Sequence, residues 1–245
     1  MEEPDYLDRN GRRLALRSRR GRGPTLVFLP GYMSDMEGGK ATALDGWAAA
    51  QGRAMLRFDY AGCGASAGEF EAQALGDWRD DAVAMIDSVE GPVILIGSSM
   101  GGWLALLAAL ARPGRVAGLV GIAAAPDFTD WGFDEPRKRT LREQGRLEEP
   151  SPYGEATYVT TRAFWESGEA LRLLGAEIAI RCPVRLLHGL ADADVPWKIS
   201  LRLAERLLST DVRVTLVKDG DHRLSRPADI ALLLETVANL VDKDA

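Results

Sequence analysis

Val93-Ile94-Leu95-Ile96-Gly97-Ser98-Ser99-Met100-Gly101-Gly102-Trp103-Leu104-Ala105-Leu106-Leu107-Ala108-Ala109-Leu110-Ala111 is the run on which the fold turns. With Gly91 and Pro92 ahead of it, it carries no charge and is long enough to span a bilayer. Pro92, the glycines and the two serines instead divide it into an apolar run of strand length, a Gly/Ser turn and an apolar helix. It therefore reads as a buried βα unit, not as a membrane span. At its centre Gly97-Ser98-Ser99-Met100-Gly101 fits G-x-S-x-G, set between strand and helix as a nucleophile elbow requires. Ser99 would occupy the tight turn and project its hydroxyl. The flanking glycines would let main chain pass without a clash, and the helix amides would point at developing negative charge. Ser98, the neighbouring hydroxyl, falls at a variable position of the motif.

Working outward, the same rhythm repeats. Thr25 to Leu29, Arg53 to Phe58, Val116 to Ala124, Val184 to Leu187 and Val212 to Val217 read as strands. Lys40 to Gln51, Glu71 to Val89, Met100 to Ala111, Trp197 to Leu208 and Pro227 to Leu240 read as helices. Strands without polar alternation, interleaved with helices, predict an α/β chain with a doubly wound, mostly parallel sheet covered on both faces. The arginines between Arg9 and Arg22, punctuated by Gly11 and Gly21, predict a solvated edge hairpin. The rhythm breaks between about Pro126 and Ile180. That stretch mixes Phe128, Trp131, Phe133, Tyr153, Tyr158, Phe164 and Trp165 with a charged run from Asp134 to Arg146. It is expected to be a small helical lid inserted into one domain spanning residues 1–245.

The 245 residues carry 30 Lys and Arg against 36 Asp and Glu, a net charge of −6, which leaves no basic surface for nucleic acid. Cys63 and Cys182 lie far apart, without metal-ligand spacing, and read as reduced thiols. The acidic start, Met1-Glu2-Glu3-Pro4-Asp5, is neither a secretory signal nor an Arg-rich transit peptide. The resulting expectation is a cytoplasmic protein with no stable membrane insertion.

A serine nucleophile needs a base, usually a histidine held by a carboxylate. Only two histidines are available. His222 follows the last strand and comes after the serine and after the acids Asp192 and Asp194, the order Ser, acid, His. His188 precedes both acids and reads as a structural turn residue. Spacing leaves Asp192 and Asp194 both open; Asp59, ahead of the serine, reads as a loop tie. The oxyanion would be held by the backbone amides of Met100, after the nucleophile, and Tyr32, in Leu29-Pro30-Gly31-Tyr32-Met33. For such donors the identity of the side chain matters little. Aromatics of the lid, with Trp103 after the elbow, suggest an apolar acyl site; Arg137, Lys138 and Arg139 could meet an anionic leaving group or form a solvated helix face.

Leu29-Pro30-Gly31-Tyr32-Met33-Ser34, Arg57-Phe58-Asp59-Tyr60-Ala61-Gly62, Gly97-Ser98-Ser99-Met100-Gly101-Gly102-Trp103, Leu187-His188-Gly189 through Val195-Pro196-Trp197, Leu208-Ser209-Thr210-Asp211-Val212 and Asp221-His222-Arg223 together resemble α/β-hydrolases. More narrowly they resemble the alpha/beta hydrolase domain-containing protein 10 family, whose members act as mitochondrial palmitoyl-protein thioesterases and acyl-glucuronide esterases. The resemblance runs from about Leu14 to Leu240 and is weakest from Asp134 to Tyr158. It implies Ser99 as nucleophile, His222 as base and, from H-G-x-x-D-x-x-V-P, Asp192 as the acid. It also implies an acyl-enzyme route needing no cofactor and no metal, acting on a small molecule or an S-acylated protein. The alternatives are a small-molecule carboxylesterase or peptidase on the same fold, or a non-catalytic binding protein.

Overall fold

The computed structural model describes residues 3–9, 11–150 and 157–241. Tyr153 and the first two residues of the acidic N-terminus lie outside that set. Eight strands form the main sheet: β1 (Asp5–Arg9), β2 (Arg12–Arg19), β3 (Arg22–Leu29), β4 (Arg53–Phe58), β5 (Val93–Ser98), β6 (Val116–Ile122), β9 (Val184–Gly189) and β10 (Val212–Val217). Their order is β1-β2-β4-β3-β5-β6-β9-β10. From β4 to β10 every pairing is parallel, while β1 on β2 and β2 on β4 are antiparallel. This is the α/β-hydrolase fold that the motifs imply.

The continuous apolar strands explain the layering. Leu26, Phe28, Met55, Ile94, Ile96, Val120 and Ile122 face α1 (Gly39–Ala50) and α8 (Pro227–Val241). Their sequence neighbours Val27, Leu29, Leu56, Leu95 and Leu119 face α2 (Leu75–Asp87), α3 (Met100–Ala111) and α7 (Lys198–Arg206). Successive strand residues point to opposite faces, so only a sheet covered twice leaves both sets dry. The uncharged stretch accordingly folds as β5 and α3, and no helix among the described residues is long and apolar enough to cross a membrane.

Strand order positions the site. After β3 the chain crosses to β4 on one side; after β5 it crosses to β6 on the other. The crevice at the carboxyl ends of β3 and β5, paired up to Leu29 and Gly97, is the switch point where doubly wound sheets place ligands.

Three local readings change. The helix expected from Glu71 breaks into a 3-10 turn, Phe70–Ala72, and α2, because the Asp77 carboxylate accepts the Ala74 amide at 2.9 Å and fixes the helix start there. The arginine-rich hairpin forms, and Arg12 pairs with Asp77 at 2.7 Å, Arg17 with Glu37 at 2.6 Å and Arg19 with Asp45 at 3.1 Å. These guanidinium groups bind acids of the neighbouring elements. Finally, the segment after Pro126 holds α4 (Phe128–Trp131), α5 (Glu135–Gln144) and α6 (Arg162–Ala170), together with an antiparallel ladder of β7 (Arg146–Pro150) and β8 (Thr157–Thr161). Asp134 caps α5 by accepting the Arg137 amide, and Gly145 closes it with φ +77°.

Candidate active site

Ser99 sits between β5 and α3 with φ 55° and ψ −120°, the geometry of the first central residue of a type II′ turn, which normally requires glycine. Its main chain is clamped on both sides. Ser99 N donates to Ile122 O at 2.9 Å, and Ser99 O accepts from Gly102 N at 2.9 Å and Ala125 N at 3.1 Å. The motif glycines have the anticipated purpose: a Cβ on Gly97 would stand 2.2 Å from Gly101 O, and one on Gly101 would stand 2.1 Å from Leu29 O. No side chain fits where strand, elbow and the loop after β3 meet.

His222 lies on the loop after β10. Its Nε2 is 3.1 Å from Ser99 Oγ, and its Nδ1 is 2.9 Å from Asp192 Oδ2. Of the three acids considered, the structure brings Asp192 to the histidine. Its side chain is fully buried, and Oδ1 accepts the amides of Asp194 at 2.9 Å and Val195 at 2.8 Å. Burial by itself would push this carboxyl up. Hydrogen bonds from His188 and His222 and from the Val195 amide outweigh it and hold the carboxyl well below the usual range. Asp194 is exposed at the cavity wall. Asp59 spends both oxygens on loop amides, Met36 at 2.7 Å and Ala65 at 2.8 Å. Asp192, Asp194 and His222 hold possible metal-ligand atoms within 4.8 Å of one another. Asp192 and His222 already face each other across a hydrogen bond, so an ion would have to displace it.

His188 corrects the turn-residue reading. Strand β9 continues through it to Gly189, and the ring is fully buried, with Nδ1 2.7 Å from Ser200 Oγ and Nε2 3.1 Å from Asp192 Oδ2. The H-G-x-x-D spacing held the signal, but only the curl of the loop after β9 turns a four-residue separation into contact.

Tyr32 and Met100 both border the cavity that contains Ser99 and His222. The side chain of Tyr32 matters more than a backbone donor demands. Its ring touches Phe70, Trp78, Phe128, Tyr158 and Phe164 at centroid distances of 5.1–6.4 Å, and its hydroxyl donates to the carbonyl of Val159. Burial pushes the phenol well above its ordinary range. Cys63 and Cys182 are likewise pushed up by burial, to about 12 and about 11, and offer no competing nucleophile.

The cavity measures about 750 Å³, within the usual range for a small-molecule site. Met33, Phe128, Trp131, Phe133, Tyr158 and Val195 give it apolar wall; Arg137 stands at its side, ion-paired to Glu149 at 2.7 Å. Lys138 pairs with Asp130 at 3.6 Å. Trp103 takes no part in the wall: it is fully buried with its ring 5.7 Å from that of Phe128, so it supports the wall from behind.

Residues 26–231 match the alpha/beta hydrolase family. Over 235 residues the chain is 43% identical to human palmitoyl-protein thioesterase ABHD10, mitochondrial, covering 94% of this chain and 77% of that one. The structure of mouse alpha/beta hydrolase domain-containing protein 10 superposes with a TM-score of 0.94 at 40% identity, over 100% of both chains. Est1E from Butyrivibrio proteoclasticus, seen with ferulic acid bound, shares the fold with a TM-score of 0.82 at 19% identity, over 98% of both chains. The cytoplasmic placement expected from the sequence is corrected by the human relative, which is named as mitochondrial. Composition and reduced thiols describe the folded body, whereas a compartment is set by an address that import machinery reads.

Proposed function

The chain belongs to the alpha/beta hydrolase family, and from that membership we propose that it is a serine hydrolase cleaving acyl thioesters or carboxylic esters through an acyl-enzyme. The observation that carries the reading is His222 standing between Ser99 Oγ at 3.1 Å and Asp192 Oδ2 at 2.9 Å. In the reaction His222 Nε2 takes the hydroxyl proton as Ser99 Oγ attacks the carbonyl carbon. Asp192 keeps the hydrogen of the neutral ring on Nδ1, so that Nε2 is free to accept, and stabilises the imidazolium that forms. The amides of Tyr32 and Met100 hold the oxyanion. His222 then protonates the departing thiolate or alkoxide, and water activated by the same ring releases the acid. No step calls for a metal or an organic cofactor.

The name of the human relative points to a palmitoyl-protein thioesterase, and the apolar wall around Ser99 suits a long acyl chain. In this reading the segment from Pro126 to Ile180 is a lid within a single domain. An acyl-glucuronide is the second substrate reading, favoured by Arg137 at the wall. Fluorophosphonate labelling of the wild type and of Ser99→Ala tests the nucleophile. Thioester, oxygen-ester and amide substrates of one acyl chain test the class. Labelling that persists in Ser99→Ala, or amide turnover matching thioester turnover, would overturn the proposal.

A further inference from the structure

The acid of the proposed triad is flanked by a second imidazole that the mechanism above leaves unused. His188 and Asp192 side chains are both 0% exposed, so water satisfies neither. His188 Nε2 faces two oxygens, Asp192 Oδ2 at 3.1 Å and Val195 O at 3.0 Å. Neither a carboxylate nor a carbonyl can donate, so Nε2 carries the hydrogen. In the neutral ring Nδ1 is then the acceptor for the Ser200 hydroxyl, 2.7 Å away on α7 and 1% exposed. The tautomer is thus assigned from its partners on both sides of the ring.

We propose that Ser200 and His188 extend the array to Ser200–His188–Asp192–His222–Ser99, acting as positioning residues that hold Oδ2 toward His222 and moderate its basicity. The inference rests on Asp192 being the acid partner of His222. Its geometry is specific. Oδ1 is occupied by two amides, and Oδ2 alone faces both imidazoles. The terminal torsion of an aspartate is broad, so two donors on each oxygen fix the carboxylate plane where one would not. A donor from His188 also withdraws negative charge from Oδ2. Without it the carboxylate holds the His222 proton more strongly, and the imidazolium formed on attack returns its proton less readily. The groups facing Oδ2 are His188 on β9 and His222 on the loop after β10; the exposed Asp194 carboxylate, on the same loop as Asp192, also lies within 4.8 Å of Asp192 and His222 and is common to every variant compared. Behind His188 the neighbour from α7 is the uncharged Ser200.

The test compares His188→Leu, His188→Gln and Ser200→Ala, each checked for folding by its melting temperature, with kcat, KM and the pH profile of kcat/KM measured on a short thioester. His188→Leu is expected to lower kcat about 10- to 100-fold, the scale of a small misplacement, while KM changes little. The acidic limb of the profile should move to higher pH by about half a unit, the order of one net hydrogen bond. Glutamine can donate to Oδ2 and accept from Ser200, so His188→Gln should recover most of kcat and return the limb. Ser200→Ala, which removes only an oxygen, should lower kcat about threefold with a smaller displacement of the limb, of the order of half a net hydrogen bond, and it carries the test if His188→Leu does not fold. Folded variants whose limb does not move, or equal losses in Leu and Gln, would reduce His188 to a space-filling residue and overturn the inference. Asp192→Asn in the same assay separates the two levels. Its full activity would remove the underlying acid, whereas its collapse beside an unaffected His188→Leu would remove only the extension.

Discussion

Two parts of the molecule meet at Ser99, and they are held by different means. Ser99, Asp192 and His222 stand on main chain that has nowhere to go. The elbow is wedged against Gly97 and Gly101, and the loops after β9 and β10 touch so closely that a Cβ on Gly189 would lie 2.1 Å from Gly220 O. The segment from Pro126 to Ile180 is seated largely by rings and single side-chain bonds, such as Phe128, Tyr158 and Phe164 around Tyr32, and the Ser167 hydroxyl accepting the Gly76 amide at 3.0 Å. Interlocked backbone defines a reacting geometry; packed side chains define a wall that can be recut. Changes in the first part should therefore harm all substrates alike, and changes in the second should discriminate among them.

The largest effects should come from Ser99→Ala and His222→Ala, each lowering kcat by about 10⁴-fold or more on short and long acyl thioesters equally. In the proposed mechanism the two act as one unit, so the double variant should be little worse than either single one. A loss that varied with acyl length would mean that these residues shape the acyl wall as well as the reacting geometry. Asp192→Asn should cost about 10²- to 10⁴-fold, while Asp194→Asn, removing an exposed carboxylate whose amide is what the site uses, should cost no more than a few-fold. The purified pair, compared side by side, decides which acid serves His222.

Smaller and selective effects belong to the wall. Trp131→Ala or Phe133→Ala should leave a C4 thioester nearly untouched and depress kcat/KM for C16 by about tenfold. That is the loss of about two buried methylenes at about 0.8 kcal/mol each. Chain lengths kept below their micellar limits make the ratio readable; an equal loss at C4 would mean that these rings support the reacting geometry instead. Tyr32→Phe is the subtlest. It keeps every ring contact and removes the hydroxyl that donates to Val159 O. About 1 kcal/mol of stability should go with it, read as a lower melting temperature. A fall in kcat of a few-fold would show that the seat of the insertion is felt at the Tyr32 amide.

How far each part can be read from the sequence follows the same division. Strands buried on both faces announce themselves by unbroken apolar runs, and α3 begins and ends at Met100 and Ala111 as its composition requires. The elbow and the arginine hairpin are local patterns, and the order of serine, acid and histidine is read along the chain without any contact being known. What local pattern misses is contact across distance. In the ladder of β7 on β8 the first strand alternates exposed and half-buried residues but half-buries Glu149 rather than an apolar side chain, and the second does not alternate at all, so its pairing is set by what lies beneath it. Neither the ring of Tyr32 among residues more than 35 positions away nor the imidazole of His188 beneath a curled loop leaves a periodic trace. Asp192 was separable from Asp194 only by family likeness, since both lie on one tight loop with their roles divided between side chain and amide.

The dihedral angles of Ser99 carry a consequence for anyone who selects variants of this enzyme by heat. A φ of 55° is comfortable for glycine and costs any other residue on the order of 1 kcal/mol or more. Ser99→Gly should consequently melt no lower than the wild type, and higher once the added freedom of the unfolded chain is outweighed. With Ser99 as the proposed nucleophile, a screen for durability alone would drift toward an inert protein. The proposed nucleophile is the residue that the turn would sooner discard.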